Sequence, residues 1–261
     1  MKQQRTPDAT LEKVGPDNLS VCGIGCITDP RHEGYEAKVE WLQQRFAEGL
    51  RFLFFRDADG KPLAFLEYVP GEFAWRPVDA AGWLFVHCLW VYPKGQAVGG
   101  LGSSLIRACI EEARQLGARG VAAMVSDGPW MAGKEVFLRN GFVQIEERER
   151  FQLINHRLGK GSAPRLRDIN TKWAKQRGLH IVYTAQCPYL PKSVNDVSLM
   201  ARERGLKVKV TVLGSAREAQ NAPSYYGVFN LLWNGRLLSD HYVSKGRFRN
   251  ILEKDILDED E

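Results

Sequence analysis

The chain has 261 residues, of which 44% are hydrophobic and 26% charged, and its formal net charge is +5 at pH 7. This length and composition are typical of a globular protein with one or two domains and a sizeable core. No apolar run approaches the ~18 residues of a membrane span, and the excess of positive charge is too small to indicate nucleic-acid binding. We therefore expect neither a membrane nor a nucleic acid as a partner.

Five cysteines are scattered along the chain at Cys22, Cys26, Cys88, Cys109 and Cys187. An odd, scattered set favours a reducing compartment over a disulfide framework, and we find no signal-peptide pattern. We therefore expect a cytoplasmic protein. Because Cys22 and Cys26 have no matching His or Cys pair to complete a zinc site, we expect no bound metal.

The first half of the chain alternates predicted helices and strands. Residues 1–20 are polar and predicted to be irregular, and a helix with regular apolar spacing follows over Ala37–Gly49. Two β-rich segments flank a turn at Asp57–Gly60, which indicates a hairpin. These two segments are the predicted strands Arg51–Phe55 and Leu63–Val69. The elements predicted after them, in chain order, are strand Leu84–Val91, helix Ser103–Leu116, strand Val121–Val125, helix Gly133–Arg139 and strand Phe142–Leu153.

A change of composition marks residues 157–178, which are rich in Gly, Lys, Arg, Ser and Pro. We predict a linker there with a short helix at Asp168–Arg177. A second run of elements in the order β-α-β-α-β-β-α follows: strand His180–Thr184, helix Val194–Arg204, strand Lys207–Leu213, helix Ala216–Asn221, strands Val228–Trp233 and Arg236–Val243, and helix Gly246–Leu252.

The glycine-rich loop Gly99–Gly102 joins a predicted strand to a predicted helix. Free backbone N–H groups and the helix dipole favour an anion at such a helix start, and glycine lets the backbone approach a phosphate. The loop lacks the lysine of a P-loop and the third glycine of a dinucleotide fingerprint. It therefore predicts a site for a different phosphorylated cofactor.

The form of this loop resembles the pyrophosphate loop of the GNAT N-acetyltransferases, usually written Q/R-x-x-G-x-G/A. Nearly the whole chain resembles GNAT enzymes with a YoaP-like C-terminal domain, through the segments Lys38–Leu50, Phe65–Pro70, Ala74–Pro77, His87–Val91, Gly100–Gly102, Gln186–Pro188 and Gln220–Pro223. The resemblance implies an α/β (α+β) chain with a GNAT acyl-CoA acyltransferase fold at 1–156, the linker at 157–178, and a smaller thioredoxin-like domain at 179–261. It also implies acetyl-CoA as cofactor and acyl transfer as the reaction.

The cofactor residues that the resemblance implies lie on the central strand, in the loop and beyond it: Leu89, Trp90, Val91, Ala97, Val98, Gly99, Gly100, Leu101, Gly102, Ser103, Ser126 and Phe137. Two positions depart from the family pattern. Ala97 occupies the Gln/Arg position of the loop, with Gln96 one place early, and Phe137 replaces the tyrosine that often serves as general acid. Phenylalanine donates no proton, so another residue or water would protonate the CoA thiolate.

Transfer to an amine requires a proton acceptor near the thioester. Strand alternation predicts that His87, Leu89 and Val91 share one face and that Cys88 faces the other way. His87 is thus a candidate base or a packed histidine. Glu67 interrupts an apolar strand, where an unpaired carboxylate would be costly. It is therefore either a second catalytic candidate or one partner of a structural salt bridge. Tyr68 and Tyr92 are candidate acids.

Cys187 lies in Gln-Cys-Pro-Tyr-Leu, where Leu190 replaces the second cysteine of a Cys-Pro-Tyr-Cys pattern. A thiol at a helix start is a candidate redox group, and the alternative is a substrate-recognition or scaffold role. We predict acetyl transfer to a small-molecule amine by a monomer or homodimer. The alternatives are a CoA-binding sensor without catalysis, or a monothiol redox protein with a relic GNAT domain.

Overall fold

The computed structural model describes residues 9–92, 100–169 and 171–257. The chain forms two compact units. The first comprises the described parts of Met1–Thr28, Leu42–Ala74 and Val78–Leu166, and the second those of Asp29–Trp41, Trp75–Pro77 and Arg167–Glu261.

A seven-stranded sheet in the order β1-β2-β3-β5-β6-β8-β7 forms the centre of the first unit. The strands are β1 Thr10–Val14, β2 Arg51–Arg56, β3 Pro62–Pro70, β5 Leu84–Val91, β6 Gly120–Val125, β7 Val143–Arg148 and β8 Phe151–Arg157. Neighbouring strands run antiparallel except β5 and β6, which are parallel. Two short strands, β4 Val78–Asp79 and β9 Arg165–Leu166, pair separately.

The helices that begin in the described part of this unit are α1 Leu19–Cys22, α3 Leu101–Gln115 and α4 Glu135–Leu138. Helix α3 buries an apolar stripe with helical spacing, including Leu105, Ile106 and Cys109, against β3, β5 and β6. Because α3 connects the parallel strands β5 and β6, its N-terminus lies at the carboxyl end of β5, which is where α/β proteins place ligands.

The second unit has a four-stranded sheet in the order β11-β10-β12-β13. Its strands are β10 Leu179–Tyr183, β11 Val208–Val212, β12 Phe229–Trp233 and β13 Arg236–Ser239, and its helices are α5 Leu190–Glu203, α6 Ala216–Ala219 and α7 Lys245–Ile251. Strand β10 is parallel to β11 and antiparallel to β12. Helix α2, Tyr35–Phe46, contributes residues to both units.

Most predicted elements of both units are confirmed within a few residues, and three differences have physical causes. Strand β1 was missed because its five residues are mostly polar and exposed on a sheet edge. The single strand predicted over Phe142–Leu153 is wrong: β7 and β8 form a hairpin whose turn includes Glu149 with φ 54°. The predicted linker contains β9, too short to leave a periodic pattern.

No helix among the described residues combines the length and apolar character needed to cross a bilayer.

Candidate active site

A gap opens between the two parallel strands at the middle of the sheet. The pairing of β5 with β6 is limited to Leu84–Val86 opposite Val121–Ala123, although both strands continue further. On the other side of β5, the Tyr92 N–H donates to the Leu63 carbonyl at 3.0 Å. Because N–H directions alternate along a strand, the N–H groups of Leu89 and Val91 point away from β3, towards the gap.

The N-terminus of α3 adjoins this gap. Gly100 precedes the helix with φ 86° and ψ −16°, a left-handed conformation that favours glycine. No acceptor among the described residues takes a hydrogen bond from the N–H of Leu101, Gly102 or Ser103. Towards the described residues, the first turn of α3 therefore presents three unengaged donors at the positive end of the helix dipole.

A cleft of about 500 Å³ joins the gap to this helix start. It is lined by Leu89, Val91, Gly100, Gly102, Ser103, Ala132, Gly133, Val136 and Arg139. One part of the wall is apolar, and the other combines glycines, a hydroxyl and a guanidinium. This division suits a ligand with an apolar arm attached to an anionic group.

Gly102 keeps the cleft open where its walls approach each other. A Cβ atom at this position would lie 3.3 Å from Cγ2 of Val91 and 3.6 Å from Cγ2 of Val136. The missing side chain thus exposes the helix amides between the strand wall and the α4 wall.

The structure brings five of the predicted cofactor residues together around the cleft: Leu89, Val91, Gly100, Gly102 and Ser103. The predicted residues Ala97, Val98 and Gly99 lie outside the described residues.

Four predicted cofactor residues do not line this cleft. The Trp90 ring packs edge-on to Tyr92, and Leu101 is buried in the core below α3. The hydroxyl of Ser126 accepts hydrogen bonds from the Gly128 N–H and the Arg150 guanidinium. Phe137, at the position of the family tyrosine, is 1% exposed in the same core.

A β-bulge on β5 overturns the predicted alternation of faces. Cys88 pairs with Glu67 and Val86 pairs with Tyr68, so His87 is an extra residue without a partner position on β3. Val86 and Leu89 thus face α3 together with Tyr68 and Leu66, instead of lying on opposite faces. The prediction that His87 shares a face with Leu89 and Val91 is wrong, and so is the opposition of His87 and Cys88.

His87 and Glu67 meet at this bulge. Nδ1 of His87 lies 3.6 Å from Oε1 of Glu67, and the two side chains are 0% and 1% exposed. The ring also contacts Phe85 at 5.9 Å between centroids. The bulge therefore places a buried imidazole–carboxylate pair at the residue where β5 loses its pairing with β6.

The two candidate acids are both engaged in hydrogen bonds. The Tyr68 hydroxyl donates to Oε2 of Glu112 at 2.5 Å, and burial, followed by the nearby Cys109 and Glu112, raises the pKa of Tyr68 far above its usual range. The Tyr92 hydroxyl donates to the Gly25 carbonyl. Like His87 and Glu67, neither tyrosine lines the cleft.

Sequence reasoning missed the cleft wall formed by Ala132, Gly133, Val136 and Arg139. These residues lie about 30 positions after the glycine loop, and the resemblance assigned only Phe137 from this segment to the cofactor. The available signal was topological: the chain leaving β6 emerges at the same sheet edge as the chain leaving β5, because the two strands are parallel.

Cys187 belongs to the second unit and is half-buried, three residues before α5. Beside it, the Gln186 N–H donates to the Thr184 hydroxyl, and the Gln186 side chain accepts from the buried guanidinium of Arg76 at 2.8 Å. Gly34 packs so tightly on this loop that a Cβ atom would lie 1.9 Å from the Pro188 carbonyl oxygen. The thiol is thus held in a closely packed loop.

Residues 25–142 match the sequence model of the acetyltransferase (GNAT) family. These residues carry β2 to α4, and with them the sheet gap and the whole cleft. The chain contains a GNAT acetyltransferase domain. The GNAT fold of the first unit is therefore confirmed, and the enzyme is an acetyl-CoA-dependent N-acetyltransferase.

One curated relative extends the similarity of this GNAT enzyme over both units. It is an uncharacterized N-acetyltransferase, YoaP, from Bacillus subtilis (strain 168), with 27% identity over 247 residues, 92% of this chain and 97% of the relative.

Solved structures of acetyltransferases align with part of the chain. A ribosomal-protein-alanine N-acetyltransferase from Brucella melitensis has 17% identity and a TM-score of 0.41, covering 57% of this chain and 99% of its own. The putative acetyltransferase yncA from Salmonella typhimurium, solved with acetyl-CoA, has 17% identity and a TM-score of 0.42, covering 60% and 98%.

Proposed function

We propose that this GNAT enzyme transfers the acetyl group of acetyl-CoA to the amine of a small molecule by direct attack. The observation that carries the proposal is the cleft itself, where free amides of α3 and the open edge of β5 border one cavity. The chemistry of the donors fits the cofactor, since a helix start suits its diphosphate and the apolar wall suits its pantetheine arm.

In this proposal, the amides of Leu101, Gly102 and Ser103 hold the diphosphate. Leu89 and Val136 pack on the pantetheine, and the Val91 N–H faces the thioester carbonyl. Bound acetyl-CoA supplies the activated acetyl group. A main-chain donor directed at the carbonyl oxygen stabilises the negative charge that develops there during attack.

His87 is the proposed proton acceptor for the attacking amine. As the amine nitrogen bonds to the carbonyl carbon and the carbon–sulfur bond breaks, the amine proton passes to His87. Glu67, 3.6 Å away, then stabilises the imidazolium formed. The position of the pair at the bulge, beside the gap, supports this role, and a purely structural buried pair is the alternative.

The proton that CoA carries away as a thiol comes from water in this proposal. Phe137 has no hydroxyl, and Tyr68 is held by Glu112 with a raised pKa. The described geometry therefore favours neither residue as the acid.

For the second unit, we propose a thioredoxin-like domain. Support comes from the strand order β11-β10-β12-β13, with one parallel and two antiparallel pairings, and from α5 starting three residues after Cys187. We propose recognition or scaffolding as its role, because the loop carries one cysteine only and is tightly packed by Gly34.

The test is an assay of CoA thiol release from acetyl-CoA with a panel of small amines, beside calorimetric binding of acetyl-CoA. Turnover with at least one amine supports the proposal. Tight binding without thiol release for any amine, including peptide N-termini, would favour a CoA-binding sensor. Release of the CoA thiol with peptides alone would mean that the acceptor is a peptide N-terminus and not a small molecule.

A further inference from the structure

The cleft wall formed by Ala132, Gly133, Val136 and Arg139 includes one positively charged side chain, Arg139. Arg139 lines the same cleft as Gly100, Gly102 and Ser103. Among the described residues, arginines such as Arg114 and Arg148 form ion pairs with carboxylates, whereas no ion pair involves Arg139. The carboxylate of Glu135, one turn earlier, is directed at Gly133 instead. Within the described part of the chain, Arg139 is thus a guanidinium without an ion-pair partner, and it lines the same cleft as the first turn of α3.

The residue after Arg139, Asn140, forms a hydrogen bond to a hydroxyl that lines the same cleft, that of Ser103. The side-chain amide of Asn140 donates to Oγ of Ser103 at 2.9 Å and to the Val136 carbonyl at 2.7 Å. A hydroxyl has one hydrogen to donate and two lone pairs to accept. Because Asn140 occupies a lone pair of Ser103, the hydroxyl hydrogen is left for an acceptor inside the cleft.

We propose that Arg139 and Ser103, the latter oriented by Asn140, form the side-chain half of the diphosphate site whose main-chain half is the first turn of α3. Arg139 contributes positive charge and forked N–H donors, Ser103 contributes one directed donor, and Asn140 is a positioning residue that acts through Ser103. This inference rests on the proposed binding of acetyl-CoA at this cleft.

The first test separates the phosphates of the cofactor. Calorimetric Kd values are measured for CoA and for dephospho-CoA, which keeps the diphosphate but lacks the ribose phosphate. We expect Arg139→Gln to raise both Kd values by the same factor, about tenfold or more, since a hydrogen bond to a charged group is lost. A loss confined to CoA would place Arg139 at the ribose phosphate, and an unchanged Kd would remove it from the site; either result overturns the proposal.

Arg114→Gln is the matched control. It removes the same charge from the other end of α3, about 18 Å from Gly102 at the helical rise, where the side chain is 56% exposed. We expect its Kd for CoA to stay within about twofold, since exposed charges at this distance are screened by salt. An equal loss in both variants would mean that only net charge matters.

The second test asks whether Asn140 acts through Ser103. We expect Ser103→Ala and Asn140→Ala each to weaken CoA binding several-fold, and the double variant to bind like Ser103→Ala alone. Additive losses would refute the positioning role. If Gly102→Glu abolished binding while all these variants bound CoA normally, the proposed function would stand and this inference would fall.

Discussion

Replacing Gly102 by glutamate tests the diphosphate site directly. The new Cβ would lie 3.3 Å from Val91 and 3.6 Å from Val136, so the side chain can extend only into the cleft. Its carboxylate would then stand in front of the α3 amides and repel the diphosphate. Loss of two or more charge-assisted hydrogen bonds corresponds to about 3 kcal/mol or more, which is over ~100-fold in Kd.

The fold should survive this substitution. Glycine inside a helix costs roughly 0.5–1 kcal/mol relative to alanine, and a carboxylate in the first turn interacts favourably with the helix dipole. These gains oppose the crowding of Val91 by the new Cβ at 3.3 Å, so we expect a thermal midpoint close to that of the wild type, together with loss of acetyl-CoA binding by calorimetry.

Ser104→Glu is the matched control for charge. It places the same carboxylate one residue later, at a hydroxyl that accepts from Arg107 and does not line the cleft. We expect this variant to lose only a few-fold in affinity. Unchanged affinity of Gly102→Glu for acetyl-CoA would refute the assignment of the cleft.

Four further outcomes follow from the described contacts. His87→Ala should lower kcat and remove one inflection from the pH–rate profile, and an unaltered profile would exclude it as the base. Tyr68→Phe should cost about 1 kcal/mol in the free energy of unfolding, by loss of its hydrogen bond to Glu112, and leave that profile intact; a changed profile would make it the acid. Burial, with a smaller effect of Lys209, lowers the pKa of His180 to about 4. Between pH ~6.5 and 4 the unfolded state therefore binds more protons than the folded state, and the free energy of unfolding should fall as the pH falls. Denaturant titrations should show a weaker pH dependence for His180→Gln than for the wild type. Cys187→Ser should leave acetyl transfer unchanged, whereas a loss of glutathione-linked disulfide exchange would establish the redox alternative.

The central elements of the first unit were predictable because their signals are local. The alternating strands around Asp57–Gly60, the apolar strand β5 and the amphipathic helix after Gly102 each reflect one periodicity or one turn. The glycine loop could be assigned to an anion for the same reason, since a strand, a glycine turn and a helix start suffice for the argument.

The features that could not be predicted depend on pairing between distant segments. The bulge at His87 arises from the register of β5 against β3, which side-chain alternation within β5 does not contain. The end of β5–β6 pairing at Val86 and the presence of Arg139 and Ser103 in one cleft likewise need the folded sheet. Arg139 lies two residues after Phe137, at a position that the family pattern leaves unspecified, so the sequence alone does not predict a place for it in the cleft.

The second unit is completed by residues synthesised long before the rest of it. Gly34 packs against Pro188, Glu33 accepts a hydrogen bond from Asn195, and Arg76 caps the side chain of Gln186. A fragment beginning after the linker would lack all three and would expose the loop around Cys187. During synthesis, the early segments Asp29–Trp41 and Trp75–Pro77 therefore lack these contacts until the last third of the chain has been made. A separately expressed C-terminal piece should fail to fold and to complement unless both early segments accompany it.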